Sequence, residues 1–284
     1  MQKEEAIKIY KSFASMKDVA LLVILVYIAT YILISALNNN SEDGIFIYVA
    51  MWLTAFLAGI AYIAHDILKS VNKIDEAVNE DLDDKKYLEI IYCIIDYGKN
   101  HKQKNNLQRT FYLIMQERYA MALIINGKRK EAEEYINSGE IKHEPYRMFL
   151  RACIDLDRAY AQGDAEKYIK IYKAAPKSYK EVKLHACRAL LMQGKYDEAI
   201  EGLMKYTPKN KREEILRRFT IGEAHLRKGS KDEAKIYLEY VINNGKTLRE
   251  KFMAEELYKE MLDYECFLEG DSYKGFIPMA AAKR

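Results

Sequence analysis

The 284-residue sequence is poor in the residues that interrupt regular structure, with four prolines and 13 glycines. Proline is tolerated badly inside helices and central strands. Proteins built from many strands also need glycine- and proline-rich turns at short intervals. A chain with so few of both is typical of long helices, so we predict an all-α fold.

The sequence also lacks the usual means of holding a metal, a cofactor or a nucleic acid. Its four cysteines are far apart and form no CxxC pair, so we expect reduced thiols in helices. No two of the five histidines are three or four residues apart, and phosphate-loop, HExxH and GxSxG motifs are missing. Lys and Glu alternate along a chain of net charge +3, which argues against a nucleic-acid surface. We predict no catalytic site, no metal, no cofactor and no nucleic-acid partner.

Charge is missing altogether from two long apolar runs, residues 19–37 and 45–64. As helices with a rise of about 1.5 Å per residue, each reaches about 30 Å, the thickness of the bilayer core. The first run is too long for a signal peptide and lacks a small-residue cleavage site. A pair of buried core helices would need a much larger soluble domain to cover them. We therefore predict a two-helix transmembrane hairpin over residues 19–64, closed by a turn-rich loop at 38–44.

The charges around these runs predict the orientation of the hairpin. Lysines occur on the outer side of both runs, whereas the loop has none and contains two acidic residues. The positive-inside rule then places both termini and the rest of the chain in the cytoplasm. A composition rich in Lys, Ile, Tyr and Asn suits an AT-rich genome, and we expect a bacterial plasma membrane. Because the spans contain no ionisable residue, a transporter is disfavoured.

Two features near the spans each allow two interpretations. Ala55 and Gly59 have the small-xxx-small spacing that lets helices approach closely, either the two spans of one chain or two copies in a homo-oligomer. Residues 1–18 form an amphipathic cytoplasmic segment, which either lies among the lipid headgroups or extends the first span. After the hairpin, residues 65–86 keep a helical apolar spacing and end in an acidic run, which predicts a juxtamembrane helix or linker.

Four stretches of the remaining chain share one pattern, an apolar helix ending in glycine, a charged turn and a second helix. The glycines are Gly127, Gly163, Gly194 and Gly229, separated by 36, 31 and 35 residues. Glycine permits the left-handed conformation that ends a helix. Small residues within the helices, which would let each pair cross closely, are Ala132, Ala199, Gly222 and Ala234.

Helix pairs repeated every 34 residues on average resemble the tetratricopeptide repeat (TPR) family, over residues 113–246. The copy at Gly163 departs from the family pattern because Leu156 and Tyr168 replace both small residues. An unrelated helical bundle with coincident spacing is the alternative. The resemblance implies a TPR-like right-handed α-solenoid over residues 87–267, capped by a helix from 247 to 267 and followed by a loose tail at 268–284.

In that family the first helix of each pair lines a concave wall that binds peptides. The corresponding candidates here are Glu117, Met121, Asp157, Tyr160, Arg188, Leu191, Phe219, Glu223 and Arg227. Either they form a peptide groove or several of them are core residues. Their mixed charge does not suit a clamp for a terminal carboxylate, and a helix or extended segment of mixed charge is the better ligand.

The anchor, the repeats and the missing motifs together predict a membrane-anchored adaptor or scaffold that is not an enzyme. Its partners would be the lipid bilayer and a protein or peptide bound by the repeat domain. The alternative is an accessory subunit of a transport or cell-envelope assembly complex, which it would contact through its spans. An enzyme with an unfamiliar active site is the third functional interpretation.

Overall fold

The computed structural model describes residues 3–13, 23–32, 44–180 and 182–269. The predicted loop up to residue 43, both ends of the first predicted span and the tail from residue 270 lie outside the described residues. Within these described ranges the chain forms helices and turns without a strand, which confirms the all-α prediction. The helices are α1 Lys3–Ser12, α2 Val23–Ile32, α3 Gly44–Asn79, α4 Asp84–Asn100, α5 Asn106–Ile125, α6 Arg129–Asn137, α7 Glu144–Ala161, α8 Ala165–Ala174, α9 Lys177–Lys180, α10 Lys183–Met192, α11 Tyr196–Met204, α12 Lys211–Lys228, α13 Lys231–Asn244 and α14 Arg249–Glu269.

The chain divides into two compact units. The first combines residues 1–75 with 90–115, and the second combines residues 76–89 with 116–284. Helix α3 runs without a break from the second predicted span through most of the juxtamembrane segment. Its part Val49–Asn79 is long and apolar enough to cross a membrane, and an 18-residue window within it has a mean hydropathy of 1.5 with 17% of that window buried. The exposed apolar side chains lie in the N-terminal part of α3, whereas Val71, Ile74 and Val78 in its C-terminal part are buried.

Helices α2 and α3 are antiparallel neighbours in the first unit. The rings of Tyr27 and Trp52 are 4.8 Å apart, and Val23 lies beside Gly59, where an added Cβ would be 2.8 Å from Val23 Cγ2. Ala55, one turn before Gly59, is fully buried. The small residues at 55 and 59 thus serve contacts within the chain, which favours the first of their two interpretations.

Helix α1 also packs within the first unit rather than presenting its apolar face to solvent. Ala6, Tyr10 and Phe13 are buried, and the rings of Phe13 and Phe111 stack at 4.5 Å. Asn105 Nδ2 donates a hydrogen bond to the Phe13 carbonyl at 2.9 Å. The described part of the amphipathic segment therefore covers protein with its apolar face, an arrangement that neither sequence interpretation anticipated.

The second unit contains the four glycines of the predicted repeats, each between two helices. Gly127, Gly163, Gly194 and Gly229 follow α5, α7, α10 and α12, with φ of 72°, 64°, 75° and 91°. These values lie in the left-handed region that glycine adopts without a steric cost. The predicted local geometry, a helix ended by glycine and followed by a second helix, is present in all four copies.

The small residues of the predicted repeats lie in the interior of the second unit. Ala132, Ala199 and Ala234 have no exposed surface, and a Cβ added at Gly222 would be 3.0 Å from the Leu238 side chain. In the copy at Gly194, the larger Cys187 stands at the small-residue position of the first helix. The second helix has a glycine opposite it, Gly202, where an added Cβ would be 3.0 Å from Cys187 Sγ.

The degenerate copy at Gly163 buries its two large residues instead. Leu156 and Tyr168 are each 1% exposed, and both belong to a core cluster with Tyr179. Tyr179 lies on α9, a short helix between this copy and the next that the repeat pattern does not predict. The extra volume of Leu156 and Tyr168 is thus accommodated with side chains from a segment inserted between two repeats.

Candidate functional site

Four of the predicted wall residues form one network across α7, α10 and α12. The Tyr160 hydroxyl donates a short hydrogen bond to the Glu223 carboxylate, which also accepts one from Arg227 Nη2 at 2.6 Å. The Arg188 guanidinium lies over the Tyr160 ring, 4.8 Å from its centroid. Three first helices of the predicted repeats are therefore connected by polar contacts on one side.

The charges of this network are fixed by its surroundings. Tyr160 is 8% and Glu223 3% exposed. Burial, together with the Glu223 charge, raises the pKa of Tyr160 well above its usual value, so the hydroxyl stays a donor. Burial acts to lower the pKa of Arg188, but nearby Tyr160, Tyr168 and Glu223 outweigh it, and the pKa is raised. The Glu223 carboxylate is therefore paired with Arg227 and accepts from Tyr160, and Arg188 contacts this pair through the Tyr160 ring.

A second charged group lies one helical turn earlier on α7, at Asp157. Arg129 Nε of α6 donates to Asp157 Oδ2 at 2.5 Å. Arg249 Nη1 of α14 contacts both carboxylate oxygens, at 2.9 Å and 3.0 Å. The three side chains are 18–28% exposed, so they are partly shielded from solvent, and such charge-assisted bonds are stronger than those between neutral groups. We call Arg129, Asp157 and Arg249 the Asp157 clamp.

Helix α14 therefore reaches the predicted wall. Met253, one turn after Arg249, packs against the core cluster that contains Tyr160, Ala189 and Leu191. Residues 247–267 were predicted to cap the end of the repeat domain, next to its last helix pair. The helix does pack along α12 and α13, but its first turns also contact α7, because Arg249 has a carboxylate partner there.

The other wall candidates have different environments. Leu191 and Phe219 are 1% and 0% exposed, so the core alternative applies to both. The Glu117 carboxylate lies 3.6 Å from His143 Nδ1, and burial raises its pKa. Met121 packs against the core cluster between α5, α6 and α7.

The acidic run that leads into α4, whose first residue is Asp84, provides contacts that the sequence did not reveal. The Asp84 carboxylate, 4% exposed, accepts a hydrogen bond from Arg212 Nη1 at 3.0 Å and one from the Arg249 backbone N–H at 3.4 Å. The Leu82 carbonyl accepts from the Thr247 N–H at 3.4 Å and from its hydroxyl at 3.2 Å. Burial outweighs Arg212 and raises the pKa of Asp84 to about 6. The predicted linker is thus bound to the first turn of α14.

The site residues that sequence reasoning missed are Asp84, Arg129, Arg212, Arg249 and Met253. The charged ones make their contacts with residues 28 to 165 positions away in the sequence. No repeat or periodic pattern predicts a pairing over such separations, and an arginine on a charged helix face has the same local sequence whether it is paired or solvated.

The arrangement has the chemistry of a surface that holds a helix. Among the described residues there is no group of three or more His, Cys, Asp or Glu side chains that could hold a metal ion. A shallow depression between α13 and α14, lined by Ile242, Glu255 and Tyr258 among others, is open to solvent. Comparison with known proteins identifies no family for this chain, since no family model, no curated protein and no solved structure matches it.

Proposed function

We propose that the protein is a non-enzymatic adaptor, anchored by a two-span hairpin over residues 19–64, whose TPR-like solenoid binds a protein partner at the cytoplasmic face of a membrane. The observation that carries this proposal is the wall of first helices, which already contacts a helix, α14, through paired charges and an apolar side chain. A face that holds one helix of the chain has the chemistry to hold a helix of another protein.

The membrane anchor is supported by the exposed surface of α2 and α3. Large apolar side chains on both helices are 46–62% exposed, among them Ile24, Ile28, Trp52 and Phe56. A continuous apolar surface of this kind is unfavourable in water and is satisfied by lipid. The lysines outside the two runs then favour cytoplasmic termini.

Fusions to the full chain test this topology. We expect a fluorescent protein at either terminus to fluoresce, and a periplasmic phosphatase inserted after Ser41 to be active, with the protein resistant to alkaline extraction of membranes. An inactive phosphatase at this position, or release of the protein by alkali, would overturn the two-span hairpin.

Crosslinking in the native membrane tests the partner. A photoreactive amino acid at Arg227, whose side chain is 33% exposed on the predicted wall, should capture one protein reproducibly. The matched control is Ile236 on α13, which is 64% exposed and should not capture it. Equal capture at both positions, or none at Arg227, would contradict the proposal.

Replacing the hairpin separates this function from the main alternative. With residues 19–64 exchanged for an unrelated two-span hairpin, an adaptor keeps the crosslink at Arg227 because its partner binds the repeat domain. An accessory subunit of a transport or envelope complex would lose its partner together with its own spans.

A further inference from the structure

Helix α14 begins in a set of contacts that resembles a binding site for a helix N-terminus. The Asp84 carboxylate accepts from the Arg249 N–H, and an acidic group at this end of a helix complements the helix dipole. Arg212, 12% exposed, holds Asp84 in place. The residues before the helix are bound as well, through Thr247 and the Leu82 carbonyl.

The side chains of α14 add two more contacts on one face. Arg249 and Met253 are four residues apart and therefore project from the same side of the helix. Arg249 contacts both oxygens of the Asp157 carboxylate, and Arg129 donates to one of them, Oδ2. Met253 packs against the cluster that includes Tyr160. The recognised pattern is thus an arginine followed by an apolar residue one turn later.

The contacts at the start of α14 also include an unfavourable element. Glu250 Oε2 is buried and has no hydrogen-bond partner in the described part of the chain. The Glu250 charge also acts on Asp84, whose pKa it raises in addition to the effect of burial. A buried carboxylate oxygen without a donor, close to a second carboxylate, therefore costs free energy when α14 is packed in this position. A competing helix with a neutral residue at the corresponding position avoids that cost.

From this combination we infer that the first turns of α14 are an internal occupant of the partner site. A partner helix with an arginine and, four residues later, a methionine or another apolar residue displaces them. The Asp157 clamp and the cluster around Tyr160 then receive the same two side chains from the partner. This inference rests on the proposed adaptor function and names the chemistry of the partner.

A peptide with the sequence of residues 247–262 is the probe for this site. We expect it to bind the full-length protein in detergent weakly, because α14 occupies the site, and to bind the Arg249→Glu variant at least about tenfold more tightly, because that variant repels its own α14 from Asp157. Lys259→Glu is the matched control, since it makes the same charge reversal on an exposed part of α14 and should bind like the wild type. A peptide carrying the Arg249→Glu change should not bind any of the three proteins.

Hydrogen exchange of the wild-type protein gives a second measurement that needs no variant. With an excess of the peptide, made with heavy isotopes so that its fragments differ in mass, the amides of residues 249–262 should exchange faster, whereas those of α10 and α11 should not change. Unchanged exchange in α14 would overturn the inference, as would equal peptide binding by wild type and a folded Arg249→Glu variant.

These outcomes are distinguishable from a failure of the adaptor proposal. If the peptide does not displace α14 but the crosslink at Arg227 persists, α14 is a permanent part of the domain and the partner binds elsewhere on the wall. If the peptide displaces α14 but no partner is captured in the membrane, the adaptor function is wrong, and the inference that another helix can replace the first turns of α14 is kept.

Discussion

At the scale of single residues, Gly98 on α4 is required by a close approach rather than by its backbone conformation. A Cβ at this position would lie 2.5 Å from the Tyr112 ring and 3.0 Å from the Tyr10 hydroxyl. Glycine inside a helix is otherwise a disadvantage of about 1 kcal/mol relative to alanine. The close contact between α1, α4 and α5 therefore explains why position 98 is a glycine.

We expect Gly98→Ala to destabilise the protein by about 1–3 kcal/mol, because the added methyl group overpacks this contact. Thermal unfolding in detergent measures the effect. In a Tyr112→Ala background the same substitution should be neutral or stabilising, since the ring that it meets is gone. An equal cost in both backgrounds would show that the clash is not the cause.

His185 is a second residue whose environment determines its behaviour. Its ring stacks on Tyr179 with centroids 3.9 Å apart, and its Nδ1 lies 3.2 Å from the Tyr179 carbonyl. Burial, with a smaller contribution from the Arg188 charge, lowers the pKa of His185 to about 4. In the unfolded chain this histidine takes up a proton near pH 6.5, whereas in the folded protein it does so only near pH 4. The free energy of unfolding therefore falls as the pH decreases from 6.5 to about 4.

This loss amounts to on the order of 2–3 kcal/mol between pH 7 and pH 4. His185→Gln should remove that part of the pH dependence, as measured by thermal unfolding at a series of pH values. His143→Gln, at a side chain that is 64% exposed, is the control and should keep the wild-type slope. A variant at 185 with the same slope as wild type would contradict the assignment.

At the scale of helices, the contact between α2 and α3 depends on Gly59. Val23 is stiff at χ1 because it is β-branched, so it gives little space to a side chain added at Gly59. Gly59→Leu should separate the two helices, and Trp52, the only tryptophan in the sequence, reports this through its contact with Tyr27. We expect its fluorescence to shift in the variant and to stay unchanged in Ala61→Leu, a control at an exposed position of the same helix.

The helices were the part of the structure that the sequence predicted best. The glycines that end α5, α7, α10 and α12 act within a few residues, and a periodic apolar face can be recognised in the same short window. The short α9 was not predicted, because a four-residue helix between two repeats has no period of its own. The position of the start of α14 was not predicted either, since its partner Asp157 is 92 residues away.

The sequence predicted which residues lie on the wall better than it predicted how they are arranged there. The repeat register placed Tyr160, Arg188, Glu223 and Arg227 on one wall, and the structure joins them. It did not distinguish Leu191 and Phe219, which are core residues, because an apolar residue on a first helix fits a groove and an interior equally well. Their burial depends on which other segments cover them, and that information lies outside the repeat.

At the scale of the whole molecule, a buried ion pair in the second unit joins two segments that are far apart in the chain. Arg212 and Asp84 are 12% and 4% exposed. Arg212→Ala should cost about 3–5 kcal/mol, because it leaves the Asp84 carboxylate buried without its cationic partner. Lys211→Ala removes the adjacent contact to Glu80, a pair that is 68% and 44% exposed, and should cost at most about 1 kcal/mol.

Chemical denaturation of both variants in detergent compares the two costs directly. Similar costs for Arg212→Ala and Lys211→Ala would mean that the contact between residues 84 and 212 does not contribute more than a surface pair.

The hydrogen bonds between residues 82–84 and 247–249 also have a consequence for how the protein is made. The two segments are separated by 165 positions, so at about 5–20 residues per second a ribosome needs roughly 10–30 s to supply the second after the first. During that time the Asp84 carboxylate, which is buried in the complete fold, lacks the partners that come later in the chain. The hydrogen bonds of residues 82–84 to the start of α14 can therefore form only after synthesis has passed residue 249, late in the production of the chain.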